Sequence, residues 1–153
     1  MKAIILFFFL FFLYSCSKVI PARFWQNFEK EKIGTQFSDQ GPFGGTAGIV
    51  WQSSTTKFGE KKILEFAKNN KWILTQTINA KNGVIDKVQN NYTFDLIIDE
   101  KLVDADFKNS KIYIFKSGMI AVKPGNSSET EENGFLLLND ERNKLKMFNR
   151  WGE

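Results

Sequence analysis

Histidine is absent from this chain, and cysteine occurs once, at position 16. The first absence removes histidine acid–base catalysis, the Ser-His-Asp triad and histidine metal centres from what the chain can do alone. The second removes an intrachain disulfide, which needs two thiols. Should Cys16 be consumed by a modification, thiol nucleophiles and thiolate metal sites go as well. Charge of one sign is also scarce: 21 basic against 17 acidic side chains give a net charge of +4, with both signs interspersed. No polybasic block marks a nucleic-acid partner, and none is expected. The remaining options for catalysis are Asp, Glu, Lys, Tyr or Ser, and no motif singles them out. The expectation is therefore a non-enzyme without cofactor or metal.

Long hydrophobic runs are equally rare. The one present, Ala3–Leu13, is eleven residues long, and five of them are Phe. A membrane-spanning helix needs about 20 apolar residues. With Lys2 before it and Lys18 after it, the run has the size and flanks of a secretory signal. Its end, Leu13-Tyr14-Ser15-Cys16, resembles the lipobox of bacterial lipoproteins: an aliphatic residue at −3, a small one at −1, then cysteine. The resemblance covers residues 1 to about 18 and is silent on the rest of the chain. It implies cleavage before Cys16, diacylglyceryl attachment to its sulfur, and residence in the bacterial cell envelope. Ser17 resembles the outer-membrane default of such proteins. Two or three acyl chains on one cysteine would hold a folded domain at a membrane that a single chain holds only marginally.

Residues 1–15 are thus read as a cleaved signal peptide, 16–44 as a lipidated N-terminus and tether, and 45–153 as a single domain. Pro21, Gly34, Gly41, Pro42 and Gly44 punctuate the tether, and no hydrophobic period is sustained. Within it, Phe24, Trp25 and Phe28 would share one helical face beside Arg23, Lys30 and Lys32, giving a candidate interfacial contact near the anchor. The competing reading docks these rings on the domain core. The glycine-rich Gly41–Gly48 lacks the lysine and following helix of a phosphate loop and reads as a turn into a strand.

Beyond it, Thr46–Gln52 reads as a strand. Glu60–Asn69 reads as an amphipathic helix, with Ile63, Leu64, Phe66 and Ala67 on one side. Trp72–Ile78 has alternating strand character, Trp72, Leu74 and Ile78 sharing one face, and Tyr92–Ile98 is read as a further strand. Lys111–Phe115 and Met119–Lys123 read as a hairpin about Ser117-Gly118. Gly134–Leu138 pairs with Lys144–Trp151, whose Leu145, Met147 and Trp151 alternate with Lys144, Lys146 and Arg150. The fold class is α+β: an antiparallel sheet, meander or small open barrel, with one covering α-helix.

Two constellations could carry chemistry. Asp95, Asp99, Glu100, Asp104 and Asp106 cluster without the ligand order of a calcium loop, and read as a charged connection. Trp51, Trp72, Trp151, Phe66, Phe115 and Phe148 read as core packing rather than a ligand pocket. The resulting expectation is an envelope lipoprotein, held at the membrane through lipid on Cys16, whose domain binds another envelope protein. Carriage of an apolar ligand, or carboxylate-based hydrolysis of envelope polymers, is the alternative.

Overall fold

The computed structural model describes residues 21–125 and 128–153. The residues read as signal peptide, and Cys16 itself, lie outside the described residues.

The chain enters through two short 3-10 turns, Arg23–Asn27 and Lys30–Lys32, and then forms strand β1 (Ile33–Gln40). Strand β2 (Gly44–Gln52) returns antiparallel to it, in register from Thr35↔Val50 to Gln40↔Gly45, with one slip between Ile33 and Thr35. Helix α1 (Glu60–Asn69) follows, then β3 (Ile73–Lys81), the two-residue β4 (Val84–Ile85) and helix α2 (Asn91–Asp99). Strands β5 (Ser110–Val122), β6 (Glu129–Asn139) and β7 (Lys144–Gly152) complete one open sheet, ordered β1-β2-β7-β6-β5-β3-β4. The consecutive partners are antiparallel, and the class is α+β as expected.

The expected tether does not hold over its described part. Residues 21–44 belong to the domain: they build the 3-10 turns, β1 and the start of β2. A 3-10 turn repeats every three residues, so Ala22, Trp25 and Phe28 stack on one side, at 1%, 0% and 3% exposure. The Trp51 indole N–H donates to the Phe28 carbonyl at 2.7 Å and pins this segment to β2. Sequence periodicity misses β1 because six of its eight residues are exposed, so no apolar alternation betrays it.

Helices cover both faces of the sheet, where one covering helix was expected. One layer consists of the N-terminal turns and α1. It buries Trp25, Phe28, Ile63 and Ala67 against Tyr113, Phe115, Leu136, Leu138, Leu145 and Met147. The other consists of α2 and the segment after it, with Leu96, Ile97, Leu102 and Phe107 against Ile112, Ile114, Phe135, Leu137 and Phe148. A sheet buried on both sides needs apolar residues at successive positions, which explains the unbroken runs Ile112–Phe115 and Phe135–Leu138.

Helix α2 corrects the strand expected over Tyr92–Ile98. Asn90 is its N-cap: Oδ1 accepts the backbone N–H groups of Tyr92 at 2.9 Å and Thr93 at 3.4 Å. Tyr92, Thr93, Leu96 and Ile97 are the buried residues, which is helical spacing. Local β propensity yields here to the apolar face that β5, β6 and β7 leave to be covered.

The hairpin expected about Ser117-Gly118 is instead a bulge inside one 13-residue strand. Gly118 takes φ +83°, yet the chain does not reverse. Lys116 pairs with Glu132 and Ala121 with Thr130, so five residues of advance on β5 oppose two on β6. The expected face of Trp72, Leu74 and Ile78 also breaks. The β3–β5 register slips between Leu74 and Gln76. Trp72 packs in the first core, Ile78 in the second, and Leu74 is 42% exposed. Gly134 makes room for Trp72, since a Cβ there would lie 2.8 Å from its ring. The β6–β7 hairpin forms as read, with Leu138 opposite Leu145.

Candidate functional site

The β5 bulge is braced from below. Ser117 Oγ donates to Asn133 Oδ1 at 2.8 Å. Asn133 is fully buried, and its Nδ2 donates to the Arg150 carbonyl at 2.6 Å. Its own carbonyl accepts from Asn149 Nδ2 at 2.9 Å. Downstream, Ala121 is fully buried. Held at Ser117 and Ala121, the bulge displays the residues between them. Met119 is 38% and Ile120 45% exposed, and the neighbouring Ile73 at the start of β3 is 63% exposed.

These three side chains, with Lys71, Lys116, Gly118 and Glu131, line an open groove of about 450 Å³. A second groove of about 440 Å³ shares Lys116, Ile120 and Glu131 with it and adds Gln89, Asn90, Glu129, Thr130 and Glu132. The first half is apolar and the second polar. Lys116 Nζ meets Glu131 Oε2 at 2.6 Å where they join. That hydrogen bond raises the Lys116 pKa above the usual lysine value.

A satisfied polar network floors the second groove. Glu132 accepts from Gln76 Nε2 at 3.0 and 3.1 Å and from Thr93 Oγ1 at 3.0 Å. Thr130 Oγ1 accepts from Asn90 Nδ2 at 3.1 Å and from the Glu132 N–H at 3.0 Å. These bonds tie the start of α2 to β3 and β6, so the groove has a fixed shape before anything binds. Beside it, β3 pairs with β4 only at Ala80 and Lys81, so its outer edge from Ile73 to Ile78 pairs with no described strand.

Three of the five acidic residues of the cluster enter ion pairs. Glu100 meets Arg150 Nη1 at 3.0 Å, Asp106 meets Lys144 at 2.7 Å, and Asp104 pairs with Lys146. The basic face of β7 is thus the counterpart of the acidic segment after α2. Among the described residues, no group of three or more His, Cys, Asp or Glu side chains is placed to hold a metal ion.

The strongest electrostatic hub lies at the opposite end of the sheet. Glu60, in the first turn of α1, meets Lys111 Nζ at 3.0 Å and Arg142 Nη2 at 3.0 Å. The Lys111 hydrogen bond, then Tyr113, hold its carboxyl below the usual glutamate range. Burial, and next Glu60 itself, push the Tyr113 hydroxyl up. This is a structural clamp: it joins α1, β5 and the β6–β7 turn, and faces no groove lined by the bulge residues.

The rings singled out in the sequence face inward. Trp25 lies 5.1 Å from Phe66, 5.5 Å from Trp72 and 6.1 Å from Trp51 by ring centroids. Phe24 contacts Phe66 and Trp72 at 5.9 and 5.6 Å. Trp25 and Phe28 offer essentially no surface to a membrane, while Phe24 is partly buried. Of the other aromatics, Trp51, Trp72, Trp151 and Phe115 lie in the first core and Phe148 in the second, with Phe66 packed against the first. Sequence reasoning missed Ile73, Met119 and Ile120. Their signal was Gly118 inside an otherwise apolar strand pattern, which marks a bulge as readily as a turn.

Comparison of the chain with protein-family models, with curated proteins and with solved structures finds no match.

Proposed function

We propose that this protein is a lipid-anchored interaction module of the bacterial envelope, non-enzymatic, which binds another envelope protein through the ledge of Ile73, Met119 and Ile120. The observation that carries the binding reading is that ledge. Two large apolar side chains stand exposed on a rigidly braced bulge and a third, Ile73, beside it on β3, which is costly display unless something covers them. The adjoining Lys116, Glu129 and Glu131 supply a polar rim, and an apolar centre with a charged rim is the usual anatomy of a protein interface. The unpaired edge of β3 adds backbone groups that an extended segment of the partner can meet.

The anchor rests on the Leu13–Cys16 pattern, the eleven-residue apolar run and Lys2. The outer membrane is the proposed address, from Ser17. An apolar-ligand carrier needs an enclosed cavity, whereas the grooves beside the bulge are open and both cores are filled with side chains. A carboxylate hydrolase needs two uncommitted acids facing one cleft, whereas in the polar groove Glu131 meets Lys116 and Glu132 accepts from Gln76 and Thr93, and elsewhere Glu100, Asp104 and Asp106 each face a cation.

The test is site-specific photocrosslinking in intact envelopes, with the crosslinker at Met119 and, as control, at the exposed Val84 on β4, beside the opposite end of β3 from Ile73. The expected result is one discrete protein adduct from position 119 and none from 84. Identical adduct patterns from the two positions would refute the ledge.

A further inference from the structure

The two layers that cover the sheet differ in charge. The layer of residues 21–32 and 53–72 holds eight basic side chains against four acidic ones, Glu29, Glu31, Glu60 and Glu65. The layer of residues 86–109 holds six acidic side chains against three basic ones, Lys87, Lys101 and Lys108, and Lys144, Lys146 and Arg150 of β7 meet three of those acids, which leaves this face near neutral. The excess on the first side is displayed outward. Arg23, Lys30, Lys57, Lys68 and Lys71 are exposed and have no ion-pair partner among the described residues. They form one surface because the N-terminal turns and α1 lie side by side. Lys62 reaches across to Glu29, and Phe24 and Phe28 both pack on Phe66.

The chain outside the structure ends at this same layer. A tether of 28 residues would have let the domain wander about 30 Å from its attachment point. Pro21 already belongs to the folded domain, and the five Cα–Cα steps that separate it from Cys16 span at most about 18 Å. A domain held so closely has one face against the bilayer, and the short leash enters the layer that is basic.

We infer that the face formed by α1 and the N-terminal turns docks on anionic phospholipid headgroups, with α2 and its near-neutral layer turned away. The inference rests on the lipidation of Cys16 for its leash, and on the charge asymmetry for its direction. The contact is made by lysine and arginine rather than by Phe24, Trp25 and Phe28, whose rings are committed to the core. Each basic residue at such a surface strengthens the contact about fivefold, less at high salt. This orientation also fixes the leash side of the domain and leaves α2 facing the aqueous side.

The full chain, purified from membranes, is reconstituted into vesicles of phosphatidylcholine alone or mixed equally with phosphatidylglycerol, each carrying a headgroup energy acceptor. A donor is attached through Lys61→Cys on α1 or Asp99→Cys on α2, residues separated by about 20 Å across the sandwich. Because Cys16 is the sole native thiol, one donor per chain means that it is blocked. The expected result in anionic vesicles is about twofold or more higher transfer from position 61 than from 99, a difference that raised salt or Lys68→Gln with Lys71→Gln abolishes. Equal transfer from the two positions, or higher transfer from 99, overturns the orientation. Two donors per chain mean a free Cys16, which sinks the anchor alone. Flotation of that chain with the two vesicle types then reads the surface: about tenfold tighter, salt-sensitive binding to the anionic vesicles supports it, and equal binding overturns it.

Discussion

Replacing Trp25 with alanine separates a folded N-terminal segment from a loose tether. The side chain is fully buried, and five aromatic rings surround it: those of Phe24, Phe28, Trp51, Phe66 and Trp72, with centroids 5.1–6.1 Å away. Emptying such a site costs about 3–5 kcal/mol, through lost burial and the cavity left behind. A domain of this size is stable by about 5–15 kcal/mol, so the loss is a large part of the total. Trp25→Phe is expected to cost less, about 1–2 kcal/mol. It leaves a smaller void, and it removes an indole N–H that is buried without a partner among the described residues. The assay is urea unfolding followed by far-ultraviolet circular dichroism, since the chain has four tryptophans and the variant removes one reporter. A Trp25→Ala variant within about 0.5 kcal/mol of wild type, the range of ordinary surface substitutions, would refute the packing described for residues 21–32.

Two further outcomes follow from the ion pairs and the ledge. Glu60→Gln should cost about 1 kcal/mol at neutral pH, because Glu60 is 27% exposed and its partners Lys111 and Arg142 are more so, which screens the clamp. The Glu60 pKa is depressed in the folded state, so its contribution is present above the ordinary carboxylate pKa and is lost as pH falls through the folded value. Urea midpoints of wild type and variant should therefore converge at low pH, and a constant gap at all pH would contradict the clamp. Ile120→Glu should leave the urea midpoint within about 0.5 kcal/mol of wild type, because Ile120 is 45% exposed, while removing the crosslink from position 119. A large destabilisation would show that Ile120 is part of the core.

The parts legible in the sequence were those that announce themselves by local period. Helix α1 has its apolar residues on one side and its charges at fitting ends, and the β6–β7 hairpin has two clear runs about a polar turn. What stayed hidden depended on partners distant in the chain. Helix α2 is built from residues that favour strands, and only the second apolar face of the sheet makes it a helix. Gly118 suggested a reversal, but the burial of Ala121 beside Thr130 and Gly152 keeps β5 running in one direction. Strand β1 is exposed over most of its length and is held by backbone pairing to β2, which leaves no trace in hydropathy. The basic stripe Lys144, Lys146 and Arg150 was visible, and so were its acidic partners. Their one-to-one match required the fold.

Anchoring at Cys16 is the premise on which the address, the short leash and the membrane-facing orientation all depend. Metabolic labelling with a fatty-acid analogue, in cells producing either the wild-type chain or Cys16→Ala, tests it most directly. The account predicts strong labelling of the wild type, with the labelled fragment beginning at residue 16, and none of the variant. Equal labelling of the two chains, or an unlabelled wild type, would contradict it.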